Sequence, residues 1–128
     1  MRPQPVQPPG MPVSKTLTPA QKVGNLVYVS GQVALNDKGE VVGKGDFAAQ
    51  AQHTYENLRR VLEASGSSLR HVVKVTNFLV NPADYAAFNE VRMKVFPENP
   101  PASSTVIVKA LAMPDLLVEV EAVAVVAQ

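Results

Sequence analysis

The chain contains no cysteine, which excludes disulfides, thiol nucleophiles and thiolate metal sites together. Its only histidines, His53 and His71, are neither one helical turn apart nor beside paired carboxylates. No metal site is therefore expected. Charge of one sign is also scarce. Lys and Arg number 12 against 11 Asp and Glu, and the longest basic run is the pair Arg59-Arg60, read as a solvated helix face. Nucleic acid is not an expected partner. No apolar stretch approaches the roughly 18 to 20 residues of a spanning helix, and five prolines by Pro12 stand where a targeting signal would place a basic and then an apolar segment. The expectation is a soluble, cytoplasmic protein with no membrane partner.

What is present fits one domain, since 128 residues at 46% hydrophobic content fill one core and not two. Residues 1–12 are rich in Pro and Gln and read as a flexible, extended arm outside a domain of residues 13–128. Leu26 to Val33 has the β-branched and aromatic content of a buried strand, with turn residues behind it from Asn36 to Gly39. Asp46 caps a helix whose apolar positions include Phe47, Ala51, Leu58, Val61 and Leu62, and Gly66 ends it. His71 to Val80 is a strand apolar on both faces, with Val73, Val75 and Leu79 on one and Val72, Phe78 and Val80 on the other. Asn81-Pro82 opens a second helix with Tyr85, Phe88, Val91 and Val95 inward. Ser103 to Lys109 and Leu117 to Val126 form a closing strand pair around the turn at residues 112–115.

This order predicts an α+β fold, a single mostly antiparallel sheet with both helices on one face. Two helices cannot also hide Val72, Phe78, Val123 and Val125. The second face is expected to meet other copies of the chain.

Six segments in order, Gly24 to Gln32, Asp46 to Ala51, Val73 to Thr76, Phe88-Asn89, Asn99 to Val108 and Val118 to Ala122, resemble the signatures of the RidA/YjgF family of reactive-intermediate deaminases. The likeness runs from about Val13 to the end of the chain. It implies a chorismate mutase-like fold, a homotrimer closing a barrel of sheets, a small-molecule ligand in clefts between subunits, and no cofactor. Family enzymes that hydrolyse 2-imino and enamine acids hold the substrate carboxylate with an arginine in a Pro-Ala-Arg-Ser context. Here the run is Pro101-Ala102-Ser103-Ser104. The family's aromatic arm residue is also missing, its region being Thr16-Leu17-Thr18. Ser30, Asn89 and Glu119 match polar residues of the family pocket, where the glutamate is thought to place the attacking water.

The resemblance therefore implies an atypical member. In one reading it hydrolyses an imine, enamine or related carbonyl compound, preferring substrates without a free carboxylate. Glu119 is then catalytic, and Ser30, Asn89 and the Ser103 to Thr105 strand bind substrate. In the other it is a catalytically silent small-molecule-binding or regulatory trimer. RNA cleavage, attached to the family's name, ranks last because the chain has no basic groove and no histidine pair. Plainer roles stand beside these. Glu119 and Glu121 share a strand face and read equally well as rim residues with a basic partner such as Lys74. Asn89 is otherwise a packing amide, Ser30 part of a bulge, and Ser103 an edge serine. Lys109 lies roughly 20 Å along the strand from Ser103 and cannot replace the arginine within one subunit; Arg92 and Lys94 are the nearer candidates in sequence and read as solvated.

Overall fold

Asp46 starts the longer helix as its residue type predicts, its Oδ1 accepting from the Ala49 amide at 3.1 Å. The helix, α1 (Phe47–Ala64), ends before Gly66, whose φ of +79° is open to glycine at little cost. The computed structural model describes residues 1–127. In it α1 and α2 (Tyr85–Val95) cover one face of a six-stranded sheet. The strands are β1 (Gln4–Val6), β2 (Ala20–Val23), β3 (Leu26–Gln32), β4 (Val72–Leu79), β5 (Ala102–Ile107) and β6 (Val118–Val125). Between helices and sheet lie Ala51, Leu58, Val61, Leu62 and Phe88, packed on Val27, Val75, Leu79, Val118 and Val120. Phe47, Tyr55, Phe88 and Phe96 form an edge-and-stack aromatic group under α2.

The strand order β1-β2-β3-β6-β4-β5 departs from the expected closing pair. β6 inserts between β3 and β4, antiparallel to both, while β5 runs parallel to β4 at the sheet edge. Burial explains the separation. Val118, Val120, Ala122 and Ala124 of β6 all enter the core, which suits a central strand, whereas β5 is almost wholly exposed.

Three smaller expectations also change. A register shift between Val72 and Lys74 turns Val72 into the core and leaves Val73 nearly half exposed, reversing their assigned faces. Tyr85, expected inward, is exposed at the start of α2. Asn81 caps a short 3-10 turn over Pro82–Asp84 that leads into α2. The amino-terminal arm is extended but not free, because Gln4, Pro5 and Val6 pair with Lys22, Gln21 and Ala20 as an edge strand.

The start of β6 is pinned by Gln50 of α1, a fully buried amide. Its Nε2 donates to the carbonyls of Asp115 at 2.8 Å and Gly43 at 3.3 Å, and its Oε1 accepts from the Leu117 amide at 2.9 Å. Gln50→Leu keeps the volume but orphans these backbone groups. It is expected to lower unfolding free energy by about 2 to 4 kcal/mol, measured by urea denaturation.

Candidate functional site

On the uncovered face, Glu119 of β6 leans across β3 at Gly31. A Cβ on Gly31 would overlap the Glu119 carboxylate, so the glycine is the notch that admits it. Partial burial, and secondly the charge of Glu121, push the Glu119 carboxyl above its ordinary value. Among the described residues no cation pairs with either glutamate. Lys74, the expected partner, instead donates to Ser104 Oγ at 2.9 Å. Ser30 is beside the notch, but its hydroxyl donates to the Thr18 carbonyl at 2.6 Å, so its proton is engaged. Leu17, Ser30 and Gly31 line one cavity of about 200 Å³.

A second cluster lies at the β5 edge. Asn77 of β4, fully buried, shares the two hydrogens of Nδ2 among Ser103 Oγ at 3.0 Å, Thr105 Oγ1 at 3.1 Å and the Ser104 carbonyl at 3.2 Å. A carbonyl only accepts, which fixes the end of the amide that faces β5. From α2, Arg92 Nη1 donates to Ser103 Oγ at 2.8 Å and Nη2 donates to Asn89 Oδ1. The guanidinium lies 4.6 Å from the Phe88 ring centroid and 5.8 Å from that of Tyr85. Asn89, Ser103 and Thr105 are thus brought together through Asn77, to which the sequence reading gave no role, and Arg92, a nearby candidate cation that it read as solvated. Asn77 was legible as a polar group on an otherwise apolar strand face. Arg92, read as solvated, stands three residues from Asn89 and four from Phe88, on their helix face. Lys94 is exposed on another side of α2.

The two clusters occupy opposite faces of the sheet. Glu119 and Val106 both pair with Phe78 and share its face, whereas Val120 and Thr105 both pair with Asn77 on the helix face. Ser103, two residues from Thr105, is on the helix face as well. Within one chain the sheet itself separates Glu119 from Ser103.

Residues 11–126 match a family model described as endoribonuclease L-PSP. A 3-aminoacrylate deaminase RutC from Acinetobacter baylyi is 43% identical over 106 residues, 83% of each chain. A 2-iminobutanoate/2-iminopropanoate deaminase from Dermatophagoides farinae is 36% identical over 98% of this chain and 91% of its own. The crystal structure of RidA from the Antarctic bacterium Psychrobacter sp. PAMC 21119 superposes with a TM-score of 0.88 at 36% identity, covering 96% of this chain and 99% of the other. The chain belongs to the RidA/YjgF family.

In this RidA-family chain, Ser103 does not leave the β5 edge without a cation, because Arg92 reaches it from α2. The arm position that lacks an aromatic ring presents Leu17, about half exposed, to the cavity beside Gly31. No helix among the described residues is long and apolar enough to cross a membrane.

The raised Glu119 carboxyl carries a stability signature. Between its unfolded value, near 4.5, and its higher folded value, the native state holds more protons than the unfolded state. Stability therefore falls as pH rises through that window. Glu119→Gln removes the penalty. It is expected to raise the melting temperature at pH 7, with the difference from wild type vanishing below about pH 4 as the carboxyl protonates in both states. A melting series over pH 3 to 7 checks this.

Proposed function

We propose that this protein is a deaminase of small imines or enamines, acting in a cleft formed where the β5 edge of one copy meets the uncovered sheet face of another in a homotrimer. The observation that carries this reading is the Glu119 carboxylate in the Gly31 notch, unpaired, partly desolvated and displayed on a face that no helix covers. A carboxylate of raised pKa is a better base for water at neutral pH than an ordinary one. The apolar groups of that face, with Tyr28, Val73 and Val106 each more than two-fifths exposed, favour its contact with another copy. Opposing two copies would also set a Glu119 against another copy's Ser103, Thr105 and Asn89, which one chain keeps apart.

The chemistry needs no cofactor, because an imine carbon is already electrophilic. Glu119 takes a proton from water as the water oxygen bonds to the imine carbon, and the C=N π pair moves onto nitrogen, which is protonated. The carbinolamine hydroxyl then gives its proton, relayed by Glu119, to the amino nitrogen, the carbonyl forms, the C–N bond breaks and ammonia leaves. An enamine first protonates at carbon to give the imine. Names of relatives, a 3-aminoacrylate deaminase and a 2-iminobutanoate/2-iminopropanoate deaminase, support the reaction class.

The test is ammonia release from imines made in the cuvette, imino acids from an amino-acid oxidase and carboxyl-free imines from an amine oxidase. Wild type is expected to accelerate hydrolysis of at least one class. Glu119→Gln is expected to lose about a hundredfold or more of that acceleration. Gly31→Ala, which displaces the carboxylate while the fold persists, is expected to lose activity comparably. The second reading, a silent binding trimer, draws on the loss of the arm's aromatic ring at Thr16 to Thr18. Thermal stabilisation by the carbonyl products without ammonia release would favour it.

A further inference from the structure

The Arg92 cluster is composed almost entirely of donors. Ser103 Oγ receives hydrogen bonds from both Arg92 and Asn77, so its own hydroxyl hydrogen remains to be given. Thr105 Oγ1 likewise accepts from Asn77 and keeps its hydrogen. Arg92 has five N–H groups and directs one each to Ser103 and Asn89. Among the described residues no carboxylate lies within ion-pair distance of it, although Arg59 and Arg60 both have such partners. A guanidinium held over the Phe88 ring and bonded only to neutral acceptors is fixed in place with its charge unanswered. It lies where two clefts meet, one of about 460 Å³ between Asn89, Phe96 and Pro101, the other of about 530 Å³ beside Tyr85 and Thr105.

We propose that Arg92 is the anion-binding residue of this chain, taking the carboxylate of a small 2-imino or 2-oxo acid together with the Ser103 hydroxyl. The inference rests on the deaminase reading and gives it a substrate class: the cation is supplied from α2, and acids remain ligands although Ser103 stands on the strand. Ser103 has two tasks that an arginine at that position would combine. Its oxygen steadies the Arg92 fork, and its hydrogen meets the ligand. The seat of the Arg92 guanidinium over Phe88 limits the conformational freedom lost on binding.

Calorimetric titration with 2-oxobutanoate and, separately, its neutral amide tests the assignment. Wild type is expected to bind the acid at least tenfold more tightly than the amide. Arg92→Gln is expected to lose about tenfold to a hundredfold for the acid, the value of a charged hydrogen-bonding contact, and far less for the amide. Arg92→Lys, which keeps charge and stem, guards against a folding artefact and is expected to recover part of the loss. Ser103→Arg added to Arg92→Gln is expected to restore acid binding. Equal binding of acid and amide by wild type, no acid binding, or undiminished acid binding by Arg92→Gln would each overturn the assignment. Imine turnover separates the two proposals. Turnover without preference for the acid removes Arg92 as anchor and leaves deamination. Acid binding lost in Arg92→Gln, with no turnover by wild type, removes deamination and leaves the anchor.

Discussion

The buried amide of Gln50 decides where β6 begins, and the placement of every group on β6 follows from that. By bonding both the Asp115 carbonyl and the Leu117 amide, it locks the backbone just before Val118 to helix α1. Strand side chains alternate with a period of two, so a slip of one residue would send Glu119 into the core and Val118 or Val120 into the open. The central position of β6 multiplies the effect, since β3 and β4 both take their register from it. The Glu119 carboxylate meets the Gly31 notch because two hydrogen bonds from Gln50 on the other side of the sheet hold its strand in step.

The helix face and the open face divide the work. Helix burial gives the domain its stability through one contiguous core, and that core also carries Phe88, the platform for Arg92. The open face keeps a partly desolvated carboxylate among exposed apolar side chains. The polar groups are therefore distributed across the sheet, and geometry alone forbids a single copy from gathering them around one small molecule. A site assembled between copies, as proposed, would respond to association: separation of copies would disperse the groups without unfolding any of them.

Much of the fold was legible because it depends on local signals. Asp46 as cap, Gly66 as terminator and the β-branched runs around Val27, Val75 and Val120 each declare an element through propensity and spacing. The neighbour relations were not legible in the same way. Val118 to Val125 reads as a strand in any position, and only the sum of burial over both helices places it between β3 and β4. The reversal of Val72 and Val73 arises from a bulge, which shifts phase without changing composition. For the site, Glu119, Ser103, Asn89 and Thr105 were visible as residue types in a familiar pattern, and the pattern also exposed Ser103 as a departure. Arg92 was misread because on its own helix it is an ordinary basic residue. Its contact with Ser103 appears only when β5 comes alongside α2, a long-range relation that no local period encodes. Ser30 shows the converse, a well-placed hydroxyl whose proton is taken by a neighbouring carbonyl.

The proline-rich strand β1 has a consequence for how copies of this chain meet. A sheet that displays apolar side chains on one face and ends in a bare edge is a template for unlimited addition of strands. Pro5 has no amide hydrogen, and the flanking Pro3 also breaks the donor pattern, so the outer rim of β1 offers a poor ladder to an incoming chain. The segment blunts the edge it occupies. In the proposed homotrimer, contacts between copies would thereby be channelled to faces and away from that rim, which separates a closed assembly of fixed size from a growing fibre.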